Sequence, residues 1–505
     1  MSENNSLLIV GGGTAGWLSA AIFAAHHKNR SKADLTITLV ESSDIPTVGV
    51  GEGTWPTLRN TIRDIGLDEK TVFRECHAGF KQGGKFVNWV TADDYYYHPF
   101  TVPMGYGQVD MAPYVDDVVD FAREANFQEA VCEAGLAPRE LSEGDFQGIC
   151  NYAYHLDAGA FANLLKNFCK EELGVAHVIA TVSDVVLDDD GMISHLIVDK
   201  NGEMVELKSD VFVDCTGFRS LILGEALGEK LQSMDHILFN DRALALHVPY
   251  ENDDDPLACH TIATGQNAGW TWDIGLTSRR GVGHVFSSAY LSEEEAAENL
   301  VNYLGGPIDN LNVKSIKFSS GYRKNPWVKN CIAIGLSGGF VEPLEATAIM
   351  LIEVAARYLA ENFPVNNASM AVISKRFNQQ MGYRWQRIMD FLKLHYMLTQ
   401  RTEPYWEAHT DPDTIPESLL EDLEVWKYRG PVKTDFDGIA ELFPAASYQY
   451  VLYGMGHRPN YSEQAYLYNQ SAQAERLVER NRLLTQQLLT TLPPHRDYIE
   501  HWLSR

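Results

Sequence analysis

Three glycines spaced Gly11-x-Gly13-x-x-Gly16, with Thr14 and Ala15 inside the last interval, form a stretch that can cradle a pyrophosphate. Glycine permits the tight turn, lets the main chain approach the anion, and allows the following helix to pack on the preceding strand with its N-terminus toward the phosphates. Glu41 ends the next apolar run, LTITLVE, where a carboxylate accepts hydrogen bonds from ribose hydroxyls. The interval exceeds the usual ~20 residues, and the basic loop HHKNRSKAD absorbs the difference.

These residues need a strand, a turn, a helix and a second strand to position them. The pattern predicts a buried strand over Leu7 to Val10, an alanine-rich helix from about Thr14 to His26, and a strand ending at Glu41. Further strands of the same style come much later, as SDVFVDCTG around Val211 to Gly217 and CIAIGLSGG from Cys331 to Gly339. Each runs into a turn, Asp214 to Gly217 and Gly335 to Gly339. Returning strand-to-turn elements of this kind close FAD domains of the glutathione-reductase and aromatic-hydroxylase type. No second GxGxxG follows a strand to take a nicotinamide nucleotide. One dinucleotide is read, FAD, held by Gly11, Gly13, Thr14, Ala15, Gly16, Glu41, Gly335 and Gly339.

The fold class is therefore α/β: a Rossmann-like FAD-binding domain interleaved with a substrate module and a helical C-terminal region. Residues 1–90 and 150–350 are expected to make a discontinuous FAD domain, with substrate-binding segments at 91–149 and 240–310. Those segments are aromatic, as in YYYHPF (Tyr95 to Phe100) and GWTWDIGL (Gly269 to Leu276). Residues 351–505 read as mainly helical. Trp385, Ile388, Met389 and Leu392 recur at helical spacing between Ser369 and Trp406, and Gln464 to Leu492 reads as an amphipathic helix stopped by Pro493 and Pro494.

At 505 residues, 45% hydrophobic and 22% charged, the composition is that of a folded protein of one to three units. A net charge of -27 disfavours nucleic acid and anionic membranes as partners. The opening MSENNSLLIVGGG holds too short an apolar run for a signal or a span, so a cytoplasmic location is expected. Seven cysteines without CxxC spacing suggest neither a disulfide framework nor a zinc site, and no metal is expected.

Six separated motifs then resemble the flavin-dependent tryptophan halogenase family: GGGTAGW (Gly11 to Trp17), VGVGEGTWPT (Val48 to Thr57), FKQGGKFVNW (Phe80 to Trp89), GWTWDI (Gly269 to Ile274), FVEPLEATA (Phe340 to Ala348) and FLKLHYMLTQR (Phe391 to Arg401). The resemblance implies that reduced flavin and oxygen oxidise chloride or bromide to hypohalous acid, which a tunnel guides to an aromatic substrate. Lys81 matches the family's catalytic lysine and Glu345 its catalytic glutamate. An amine that hydrogen-bonds hypohalous acid, or carries it as a haloamine, keeps an unselective electrophile beside one carbon. Haloamine formation needs the neutral amine and hence a pKa lowered by burial. Halide is expected on backbone N–H groups near Thr347 and Ala348. The family pattern FxxPxxSxG reads Phe340, Pro343, Ala346 and Ala348 here, and if the glycine position takes positive φ, Ala348 carries strain of roughly 1 kcal/mol.

The loop with Gly49, Val50, Gly51, Glu52 and Thr54 resembles the mobile strap over the flavin, with Val50 and Gly51 as cofactor contacts. Trp270 and Trp272 match the WxWxIP signature, with Gly275 in place of proline. His98 and Phe100 resemble the His-x-Phe pair that stacks on indole, and Tyr450 joins them as a substrate residue. The late segment SYQYVLYGMGH lacks the adjacent tyrosines usual in enzymes of free tryptophan, which points to indole or an indole derivative. The implied partners are a small aromatic substrate, a separate NAD(P)H-dependent flavin reductase supplying FADH2, and a second copy in a homodimer. A flavoprotein aromatic hydroxylase of the same fold and a catalytically inactive flavin-binding protein are the competing readings.

Overall fold

The computed structural model describes residues 4–28, 35–43, 51–115, 120–308, 310–438 and 440–505. Ser6–Val10 is a strand because Leu7, Leu8, Ile9 and Val10 are apolar without interruption and both faces of the sheet are covered. It pairs in parallel with Val211–Asp214 on one side and Thr36–Glu41 on the other. The sheet is completed by Ala176–Ile179, Cys331–Ala333 and the antiparallel edge Trp327–Val328. The helices Thr14–His26, Ala158–Glu171 and Thr347–Glu361 pack together on one face. On the other face, Leu8, Val10, Val40 and Phe212 meet Ile193, Leu196 and Val198 of an antiparallel three-stranded meander. The expected helix Thr14 to His26 has those bounds.

A second sheet of seven strands runs Lys314–Lys317, Arg242–Val248, Arg280–Phe286, Trp270–Gly275, Thr261–Gly265, Gly83–Val87 and Tyr95–Pro99. A small antiparallel sheet sets Ala153–Asp157 between Gly51–Gly53 and Gly79–Lys81. Gly51 to Gly53, expected in a mobile loop, thus form a strand in register with His155 to Asp157, while Gly49 and Val50 lie outside the described residues.

The C-terminal region is helical, led by the 31-residue helix Asn367–Met397, which starts on an Asn366/Ser369 capping box. It buries Trp385, Ile388, Met389 and Leu392 as their spacing demands. The helix expected from Gln464 begins later, at Ser471, because Tyr461–Leu467 winds as a 3-10 helix. Pro494 then caps a last helix, His495–Ser504. Among the described residues, no helix is long and apolar enough to cross a membrane.

Candidate active site

Gly11 and Gly16 explain the turn after the first strand. At Gly11, with φ +117°, a Cβ would lie 2.2 Å from the Cys215 carbonyl oxygen, and at Gly16 a Cβ would lie 1.9 Å from the Gly11 carbonyl oxygen. Gly13 caps the helix with no side chain over the first N–H groups, which leaves them as anion donors. Glu41 stands beside Gly12. Its Oε1 takes Lys166 Nζ at 2.9 Å and His177 Nε2 at 2.8 Å.

A cavity of about 600 Å³ starts at Gly11 to Ala15 and Glu41. Gly335, Gly339 and Gly51 also line it, as do Trp270, Trp272 and Ile274 from one strand face and Ala346 to Ala348. Lys81 stands on the same wall. A groove fronted by bare helix N–H groups, with a carboxylate at the next strand end, fits an adenine dinucleotide.

Trp270 donates its indole N–H to Glu342 at 2.9 Å, which fixes it against the core. Gly275, which replaces the expected proline, has a packing reason: a Cβ there would lie 2.9 Å from Leu257. Thr347 and Ala348 open the helix Thr347–Glu361, whose cap is Ala346 at φ 54°, ψ 41° with no side-chain hydrogen bond. The left-handed residue is therefore Ala346, and Ala348, expected to hold any positive φ, is helical. The first N–H groups of this helix are open to an anion from the cavity side.

Lys81 ends the strand Gly79–Lys81 with its side chain buried at 4% exposure and its ammonium 5.3 Å from the Phe100 ring centre. Burial pushes its pKa down to about 8, against the opposing pull of the Glu345 carboxylate. Glu345 is buried as well, and its Oε1 stands 3.0 Å from both His98 Nδ1 and His395 Nε2. Burial alone would raise this carboxyl; the two imidazoles outweigh it and hold the group well below the usual carboxylate range. His395 in turn meets Tyr96 OH through Nδ1 at 2.6 Å and stacks on Phe86.

Tyr450 sits on the helix Ala445–Gly454, 6.3 Å ring to ring from His98, and its hydroxyl bonds Asn126 and the Thr101 carbonyl. The sequence motifs assign no role to His395, Tyr96 or Trp55, although His395 and Trp55 fall inside them. A histidine within a buried helix face, on FLKLHYMLTQR, was the available signal. All seven cysteines are buried. Cys132, Cys259 and His260 come from separate segments and bring their ligand atoms within 4.8 Å of one another, which no CxxC spacing could reveal.

The family model described as tryptophan halogenase matches residues 6–470. A solved tryptophan halogenase of Shewanella frigidimarina is 42% identical, with 99% of this chain and 98% of that chain covered and a TM-score of 0.93. The 7-chloro-L-tryptophan 6-halogenase of Kutzneria sp. is 34% identical over 98% of each chain. A solved flavin-dependent halogenase of Brevundimonas sp. is 32% identical, covers 99% of both chains and superposes with a TM-score of 0.87.

Proposed function

This chain belongs to the tryptophan halogenase family, and from that premise we propose that it is a two-component, flavin-dependent halogenase that places chlorine or bromine on an electron-rich ring of the indole class. The observation that carries the reading is the buried Lys81 amine, on the wall of a cavity that begins at the dinucleotide turn and electrostatically coupled to Glu345. Bound as FADH2, the cofactor supplies hypohalous acid from oxygen and halide. The turn Gly11, Gly13, Thr14, Ala15 and Gly16, with Glu41, Val50, Gly51, Gly335 and Gly339, would hold it. The division into a cofactor unit of 1–90 and 150–350, substrate segments at 91–149 and 240–310, and a helical unit from 351 onward is proposed with it.

The helix N-terminus at Thr347 and Ala348 binds the halide through main-chain donors, which alanines at 346 and 348 leave uncovered. Lys81 receives the electrophile; with a pKa near 8, a useful share of it is the neutral nucleophile at neutral pH. Glu345, held as an anion, is a weak base, so its larger contribution is to stabilise the positive charge that develops on the attacked ring. The cluster of Glu345, His98 and His395 accepts the proton the ring loses. Phe100, His98 and Tyr450 offer aromatic faces for a flat substrate.

The test supplies the purified chain with FAD, NADH, a separate flavin reductase, oxygen, bromide and indole. Monobrominated product is expected from the native chain and none from Lys81→Ala. Hydroxylated product without bromine would overturn the reading in favour of a hydroxylase, and rapid oxidation of NADPH by the chain alone would overturn the two-component part.

A further inference from the structure

The aromatic rings beside Lys81 and Glu345 already pack, tilted or edge-on, against an indole, and it belongs to the chain. Trp55 follows the strand Gly51–Gly53 and is buried at 7% exposure. Its ring lies 5.7 Å from His98, 5.1 Å from Phe100 and 5.2 Å from Phe443, centre to centre. Its N–H donates to the main-chain carbonyl of Glu345 at 2.6 Å. The groups around it adjoin the chemistry: His98 bonds the Glu345 carboxylate, and the Phe100 ring faces the Lys81 ammonium.

Resting on the halogenase reading, we infer that Trp55 is a specificity-determining residue: a resident indole that packs on His98 and Phe100, two of the three rings offered to a flat substrate, fills that aromatic clamp and competes there with an incoming indole ring. A substrate that needs the full clamp, such as an amino acid bearing an indole, must displace a side chain that is packed on three rings and hydrogen-bonded. Small or differently shaped aromatics that use only part of the clamp escape that penalty. Removing the ring leaves an indole-shaped hole whose Glu345 carbonyl lacks a donor, and a free indole restores both the packing and the hydrogen bond. The position of Trp55, two residues after a strand that lines the cofactor cavity, also ties its movement to that wall.

The experiment measures binding first, because binding requires no turnover. Trp55→Val and Trp55→Phe full-length chains are titrated with indole and with L-tryptophan by calorimetry, and melting temperatures are read with and without each ligand. Trp55→Val is expected to bind both ligands at least ~10-fold more tightly than the native chain, and its melting temperature is expected to rise with indole by more than that of the native chain. Trp55→Phe, which keeps a ring but loses the N–H, is expected to gain less and serves if the valine variant does not fold. Unchanged or weaker binding by the folded variants would overturn the inference. Halogenation of L-tryptophan is then assayed with the flavin reductase, and kcat/KM is expected to rise ~10-fold in Trp55→Val. Tighter binding with no halogenation of indole or L-tryptophan by any chain, native included, leaves the occupancy of the clamp standing and sinks the halogenase reading instead.

Discussion

Lys81 carries two pH signatures with one cause. Burial lowers its pKa from 10.5 to about 8, so the folded state disfavours the ammonium that the unfolded chain accepts. For a lysine with a lowered folded pKa, the destabilisation is complete below pH 8 and disappears as pH climbs from about 8 through 10.5. In catalysis, the neutral share grows about tenfold per pH unit below that pKa. Single-turnover bromination with saturating reduced flavin is therefore expected to rise from pH 6 to 8 and then level. A Lys81→Arg chain, always charged, should show a flat profile near zero; a rising profile in that variant would remove the amine from the chemistry. Glu345 makes the complementary case, since its anion is secured by His98 and His395 at 3.0 Å each. Glu345→Gln keeps the shape and removes the charge, and is expected to lower kcat by ~10²–10³ with little change in KM, as steady-state kinetics with indole will show.

Where the helix Thr347–Glu361 begins, one residue decides the geometry of the main-chain donors. Ala346 sits at φ 54°, a conformation in which an L side chain is strained, and Ala348 lies within the first helical turn. The two alanines should respond to glycine with opposite signs: Ala346→Gly is expected to stabilise by up to ~1 kcal/mol, and Ala348→Gly to destabilise by up to ~1 kcal/mol. Urea denaturation of both variants checks the pair, and equal signs would refute the assignment of the strained position. The sequence shows that this loop departs from its pattern at two places, but not which place bears the strain, because φ depends on how the preceding strand Gly339–Phe340 delivers the chain to the helix. The same limit applies elsewhere. The first strand, its helix and Glu41 were legible because periodicity and glycine spacing are local signals. Lys81 and Glu345 were legible through the motifs around them. His395 was not, since its meaning is a contact across 50 residues of sequence with Glu345, and Trp55 read only as part of a glycine-rich strap. Gly51 to Gly53 looked like a loop because glycine has no strand preference of its own; pairing with His155 to Asp157 makes the strand.

Across the whole molecule, both large sheets and the C-terminal helices share one hydrophobic cluster, running from Leu7 and Leu39 through Trp270 and Val285 to Tyr498 and Trp502. The strand carrying Lys81 shows what that continuity accomplishes. The Phe80 N–H, one residue before the lysine, donates to His495 Nε2 at 3.0 Å, and His495 Nδ1 donates to the Leu257 carbonyl at 3.0 Å. Burial lowers the His495 pKa, which favours the neutral ring needed to accept on one nitrogen and donate on the other. The last helix thus clamps the lysine strand from 415 residues away in sequence. His495→Ala leaves a buried N–H and a buried carbonyl unpaired, at a cost of about 1–3 kcal/mol, and lets the strand shift under Lys81. His495→Gln, with an acceptor and a donor on one amide, should recover part of both losses. The expected result is a lower urea midpoint and a lower kcat in the alanine variant, partial recovery in the glutamine variant, and little change in flavin affinity in both, because the dinucleotide turn is built on the six-stranded sheet and the lysine strand belongs to the small antiparallel one, from which only the Gly51 strand reaches the proposed cofactor contacts. Flavin affinity falling in step with kcat would mean that the C-terminal helix supports the fold as a whole and does not specifically hold the lysine strand.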